Sequence, residues 1–324
     1  MLTRNHHDRQ GVDVRSFRGF LQGTTTLVME RHKYADDLGP GNRCLAELDS
    51  TQFVLTKRML AYFDIFSCLP CVRPPILHER YWLIDESCIA EENIDGSGLD
   101  PVMGCFPAVI GFIGRSAALV HALFGGQIKM SQYLITRDDL LRLLATWKPL
   151  EPVSPKEFPY SSSLESMREE YQICLSAGKA HSLATQIFLH RTTNFVQNSE
   201  EVQLLTRSLC DAILKVGVSS VSTTVMLWPL WVLGCESYNT EFRNEVVAPM
   251  FSALVRRQGF SNISQCFKTL QEQIWILRSV PINEAAQNYV ELEDFNTLDH
   301  DNTGWYQSQW ARYCWEEKVE LIFA

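Results

Sequence analysis

Met226-Leu-Trp-Pro-Leu-Trp-Val-Leu-Gly-Cys-Glu236 is an almost wholly apolar run with a proline near its middle and a Gly-Cys-Glu exit. With Val225 before it, Met226, Leu227, Leu230, Trp231, Val232 and Leu233 leave no polar face, so a helix here must be surrounded by other helices. Pro229 has no N–H to give the carbonyl of Val225, which predicts a kink. Gly234 lets another element approach the backbone closely. The segment contains no catalytic chemistry. It reads as a kinked core helix, and such a helix can also line a pocket.

Helical signals continue on both sides. Downstream, Asn239 or Thr240 caps a helix that ends at Arg256-Arg257 before Gly259, with cations in the last turn and a glycine just beyond. Ile263, Phe267, Leu270, Ile274 and Leu277 then repeat at four-three-four-three spacing, the period of an amphipathic helix. A final helix from about Trp305 carries Trp305, Trp310 and Trp315 and leads into Leu321-Ile-Phe323. Upstream, Glu200 to Val216 is a helix with Ser199 as N-cap and acids in its first turn. Leu164 to Phe195 is one long helix or two abutting ones.

The first half shows helices over residues 46–66, over Cys105 to Phe124 and near Arg137–Trp147. Thr136 and Asp138-Asp139 are read as the N-cap and first turn of the last of these. Residues 1–45 form a polar lead-in with a helix around Val14 to Lys33. Four prolines between 149 and 161 prevent a continuous helix and mark a connector between sub-lobes 46–148 and 162–324. Polar loops are expected from about Asp85 to Pro101 and over Glu291–Asp301. No run of alternating residues reads convincingly as a strand. The expected fold is all-α, a multi-helix domain with a buried, Pro-kinked central helix.

Composition narrows the function. The 324 residues are 46% hydrophobic and 21% charged, an ordinary globular balance, with a formal net charge of −9. That charge argues against this chain gripping nucleic acid alone, because phosphate contact needs a basic surface. Ten cysteines stand at 44, 68, 71, 88, 105, 174, 210, 235, 266 and 314, most in apolar helical stretches, where a free thiol behaves as a small hydrophobe. A polar start without a secretory signal adds to the reading of a reducing compartment and free thiols. Cys105 to Phe124 is about long enough to span a bilayer, but Arg115 and His121 interrupt it, so it reads as a buried helix and no membrane partner is expected.

Enzyme signatures are missing from the sequence. It has no Gly-x-Ser-x-Gly elbow, no phosphate-binding loop and no His-Glu-x-x-His. Asp138-Asp139 lacks the further carboxylate at helical spacing that a bridged metal pair would need. Cys68-x2-Cys71 is the single pair at that spacing, and the next cysteine is Cys88, in surroundings that are not basic. Four converging soft ligands are not offered, so no metal and no cofactor is expected in this chain. The expectation is binding, not catalysis.

The ordered succession of motifs is more specific than any one of them. The Trp-Pro segment is followed by Thr240-Glu-Phe-Arg243, Arg256-Arg257-Gln-Gly-Phe260, Asn262 and a run ending at Gln273-Ile-Trp275. Before it come Tyr62-Phe-Asp-Ile-Phe66 with Arg73-Pro-Pro75, Asp100-Pro-Val-Met-Gly-Cys105, and Gln186-Ile-Phe-Leu-His-Arg191. After it comes the closing block Trp310 to Phe323. Over residues 46–324 this resembles the fungal-specific transcription factor domain, the C-terminal regulatory domain of zinc-cluster factors of the acriflavine-sensitivity and arginine-regulator type.

The resemblance implies a nuclear regulatory domain in RNA polymerase II transcription. It implies homo- or heterodimerisation and contacts with transcription machinery or regulator proteins. DNA and zinc would enter only through an N-terminal cluster that these residues do not contain. The alternative is a stand-alone helical adaptor. Trp228, Trp231, Cys235 and Trp275 are the expected effector-pocket residues, chosen as groups on or near the central helix.

Overall fold

In the computed structural model the residues described are 14–37, 51–70, 73–77, 106–148, 163–193, 199–218, 220–277 and 310–323. The expected connector 149–161, the loops at 85–101 and 291–301, Trp305 and Cys71 lie outside them. Among the described residues the chain forms ten helices and no strand, the all-α architecture that the periodicities predict.

The helix α7, Leu227–Glu236, is the centre of the packing, and all of its residues are buried. An interior element with no polar side must have its backbone bonds satisfied within itself and apolar neighbours all round. Those neighbours are α5 (Leu164–Arg191), α6 (Glu200–Val216), α8 (residues 240–258) and α9 (residues 261–277). The break expected at the proline takes the form of a helix start. A 3₁₀ turn, Val221–Val225, ends at Met226, and α7 begins at Leu227. Pro229 therefore falls in the first turn, where N–H groups have no intrahelical acceptor and a proline costs nothing.

Helices α8 and α9 each contain one π-helical turn. In α8, Thr240–Phe242 passes through a π turn at Arg243–Val247 into Ala248–Gln258. In α9, Ser261–Thr269 passes through a π turn at Leu270–Ile274 into Trp275–Leu277. Both π turns pack against α7. The ends of α8 follow local chemistry. Asn239 Oδ1 accepts from the Glu241 N–H at 2.7 Å, and Gly259 adopts a left-handed φ of 69° just past the last residue.

The remaining helices pack on one another and on α5. α1 (Val14–Asp37) packs on α2 (Thr51–Cys68), with Phe17 edge-on to Phe63 at 6.1 Å. α3 (Pro107–Phe124) packs among α2, α5 and α4 (Met130–Thr146). It is apolar and long enough to cross a membrane, yet Val109, Ile110, Ile113, Ala117 and Val120 are buried inside the protein. Gly178 on α5 is where α3 and α4 close in: an added Cβ would stand 2.6 Å from the ring of Phe106 and 2.8 Å from that of Trp147.

Helix α4 starts seven residues before the expected N-cap region at Arg137. Gln132 reaches back to the Lys129 N–H at 3.1 Å, while Thr136, Asp138 and Asp139 sit mid-helix. Arg137 and Arg142 neutralise the two aspartates, at 2.7 and 3.3 Å, so the acids are helix-surface partners and not a cap. The short helix α10, Trp310–Glu316, returns against α5 and brings Trp310 into the core.

Candidate functional site

The four expected pocket residues lie along α7 or against it. Trp228 and Trp231 are fully buried and stacked, with ring centroids 6.1 Å apart and planes 18° from parallel. They are packed solidly. Trp310 of α10 stands edge-on to Trp231 at 5.1 Å, Phe188 of α5 lies 5.7 Å from Trp228, and Phe323 lies 5.2 and 5.3 Å from the two indoles. Rings of opposed quadrupole in such edge-to-face arrangements attract one another beyond simple burial. Cys235 is buried and forms no disulfide among the described residues.

Trp275 is placed apart from this pair, at the C-terminal end of α7. Its indole N–H donates to the Gly234 carbonyl at 2.9 Å, and the Arg243 guanidinium lies 5.0 Å from its ring centroid. Gly234 is needed for this fit, because a Cβ there would stand 2.6 Å from Leu270 Cδ1, the first residue of the α9 π turn.

A helix end inside a protein leaves carbonyls that must find donors. The end of α7 finds them among its neighbours. The Ser237 hydroxyl donates to the Leu233 carbonyl at 2.6 Å, and Arg243 Nε donates to the Ser237 carbonyl at 2.7 Å. Each of the two π turns therefore delivers a side chain to the same place. Arg243 opens one, and Trp275 follows the other directly.

Arg191 and Glu236, which the motif reading did not pair, form a buried ion pair between α5 and α7. Arg191 Nη2 donates to Glu236 Oε2 at 2.8 Å, Arg191 Nε to Oε1 at 3.1 Å, and Trp310 Nε1 to Oε1 at 2.9 Å. Both ends of the pair are almost wholly shielded from water, at 0% and 1% side-chain exposure. Burial opposes the Arg191 charge, and the Glu236 carboxylate more than restores it, holding the guanidinium above its ordinary value. Glu236 ends α7, where the helix dipole disfavours an anion, so the arginine answers a twofold cost. The sequence signal was a charged residue closing each of two apolar runs, Arg191 and Glu236.

A second buried carboxylate orders the exit of α2. Asp64, 0% exposed, accepts from Arg73 Nη1 at 3.1 Å and from the Leu77 N–H at 2.7 Å. The Tyr62–Phe66 and Arg73-Pro-Pro75 motifs thus meet in space. Five thiols in the described helices, Cys68, Cys174, Cys210, Cys266 and Cys314, are pushed up by burial, which keeps them protonated and unreactive. His181 is also buried, and desolvation lowers its imidazole to about 4. Among the described residues, no three His, Cys, Asp or Glu side chains converge as a metal site requires.

These contacts hold helices together. The motifs at the ends of α2, α5 and α7 prove to be the partners of buried ion pairs, and the closing block supplies Trp310 and Phe323 to the core around α7. The sequence model of the fungal specific transcription factor domain matches residues 2–314, which takes in every helix from α1 to α9. Neither curated proteins nor solved structures gave a match. A match over nearly the whole length, together with an all-helical architecture, places this chain in the fungal specific transcription factor domain family.

Proposed function

We propose that this chain is the regulatory, effector-response part of a nuclear fungal transcription factor acting on RNA polymerase II genes. It is of the acriflavine-sensitivity and arginine-regulator type, with DNA recognition supplied by a zinc cluster outside these 324 residues. The observation that carries the reading is the family match over residues 2–314. The packing is consistent with it: α7 is held at one end by aromatic rings and at the other by Arg191, Arg243 and Trp275, so its position depends on α5, α8, α9 and α10 together. A ligand or partner that prefers one placement of these helices shifts the population toward it, provided that it binds the two placements with different affinity.

The domain works by binding and carries out no catalysis. Its partners are a second regulator subunit and proteins of the transcription machinery. The transcript encoding this chain, sequenced through its true 5′ end, tests the reading. An in-frame basic segment with six spaced cysteines is the expected result. Translation starting at Met1 without such a segment would instead favour a stand-alone helical adaptor.

A further inference from the structure

Segment 319–323 leaves α10 by a strained turn. Lys318 has a φ of 53°, a left-handed conformation that disfavours every residue with a Cβ except in special settings. The turn is held by the Val319 N–H on the Cys314 carbonyl at 2.8 Å and by the Lys318 ammonium, 4.1 Å from the Trp315 ring centroid. Beyond it the chain crosses the core as a strap without helix or strand structure. Glu320 pairs with Arg18 of α1 at 2.6 Å, Asn262 Nδ2 of α9 donates to the Ile322 carbonyl at 3.0 Å, and the Phe323 N–H reaches the Phe66 carbonyl at a long 3.4 Å. The strap ends with the Phe323 ring, 1% exposed, set edge-on to Trp228 and Trp231.

Two observations point beyond plain packing. A shallow surface groove with room for about one water runs beside the strap and is lined by Phe17, Arg18, Ser67, Leu69, Glu320 and Ile322. The indole N–H groups of Trp228 and Trp231 are shut off from solvent and have no hydrogen-bond partner among the described residues. Both ring nitrogens of His181, which lies edge-on to Phe66 at 5.4 Å, are also without an ordinary hydrogen bond; the Val225 backbone gives that ring a weak interaction. Buried unpaired donors are costly and call for an explanation. The phenyl ring of Phe323 has no acceptor to offer them.

We propose that Phe323 is a removable plug, and that the site it fills against the Trp228–Trp231 stack binds a small neutral aromatic ligand bearing a hydrogen-bond acceptor. The slot is seen to take one aromatic ring, delivered by a strap and not by a helix. A ligand that replaces that ring and adds a carbonyl satisfies an indole N–H that phenylalanine leaves unpaired. A neutral ligand fits because an unpaired charge in this apolar slot would be heavily penalised. The strap lifts about Lys318, along the groove. This inference rests on the effector-response reading and gives that response its binding site.

Acetophenone, one ring with one carbonyl, is the probe, and toluene is its counterpart without an acceptor. Phe323→Ala is expected to bind acetophenone saturably, at least tenfold more tightly than the unaltered chain, and more tightly than toluene. Phe251→Ala opens a similar void at the Phe251–Phe267 stack, away from the indole pair, and is expected to show no such preference. Phe323→Leu keeps most of the apolar volume and repeats the test if the alanine variant fails to fold. In the unaltered chain, saturating acetophenone is expected to speed amide exchange over 319–323 at least tenfold while α7 stays protected.

Absence of saturable binding in a folded Phe323 variant overturns the inference. So does an equal preference in Phe251→Ala, or an unchanged exchange rate in the strap. If the slot binds the probe but the domain never alters transcription when tethered to a promoter, the site stands and the regulatory reading falls.

Discussion

Replacing Glu236 by alanine tests the buried polar centre directly. The change removes the acceptor of three close N–H contacts, from Arg191 Nη2 at 2.8 Å, Arg191 Nε at 3.1 Å and Trp310 Nε1 at 2.9 Å. Arg191 is then a cation without its carboxylate at a position of 0% exposure. Breaking a buried pair by deleting one partner costs about 3–5 kcal/mol. Orphaning the Trp310 indole adds about 1–3 kcal/mol. The expected loss is about 5 kcal/mol, comparable with the whole stability of a marginal domain, about 5–15 kcal/mol. Glu236→Gln retains the shape but loses the charge, and should cost about 3 kcal/mol.

The double variant Arg191→Met with Glu236→Leu removes both charges and refills the volume, so it should return to within about 2 kcal/mol of the unaltered chain. Urea unfolding at pH 7, followed by tryptophan fluorescence and far-ultraviolet circular dichroism, measures all three. A loss below about 1 kcal/mol for Glu236→Ala, or a double variant as unstable as the sum of its parts, would refute the reasoning.

Two other outcomes follow from local geometry. His181 falls to about 4 in the folded chain from an ordinary 6.5, so the unfolded chain binds more protons between those values, and the stabilisation, full above pH 6.5, is lost as pH falls toward 4. The loss is about 3 kcal/mol, and His181→Gln should flatten that part of a stability-against-pH curve measured by urea unfolding. Gly234→Ala drives a Cβ into the fully buried Leu270, which has no solvent to swing into, and should cost about 2 kcal/mol. On a Leu270→Ala background the same glycine substitution should cost close to nothing, a coupling that thermal unfolding of the four chains would measure.

Local signals in the sequence were sufficient where the physics is local. The bounds of α6, the Asn239 cap, the Gly259 stop and the burial of α7 all follow from residues within a few positions of one another. Pro229 and Asp138-Asp139 show the limit. A proline is equally at home at a kink and in a first turn, and an acidic pair suits both a cap and a helix surface; the local residues do not choose between them, and the helices start at Leu227 and Met130. The π turns were not legible, because the four-three-four-three spacing of Ile263, Phe267, Leu270 and Ile274 reads as an uninterrupted α-helix, and the extra residue in the turn serves the approach of Leu270 and Trp275 to Gly234. Arg191 with Glu236, and Asp64 with Arg73, are pairings between separate segments, and one sequence states the charges but not their partners. Of the four expected pocket residues, Trp228 and Trp231 come together and Trp275 serves the other end of α7; the ring that packs edge-on against the first two is Phe323, a residue seen in sequence only as the end of an apolar tail.

The central claim is that this helical domain controls transcription. The most direct measurement fuses the chain to an unrelated DNA-binding module in a fungal host and reads a reporter gene beneath the matching site. Transcription that differs at least fivefold from the module alone, and that Glu236→Gln shifts toward the module's own level without loss of the folded fusion, is the result expected. A stable, nuclear fusion that leaves the reporter at the level of the bare module under every growth condition tried would contradict it.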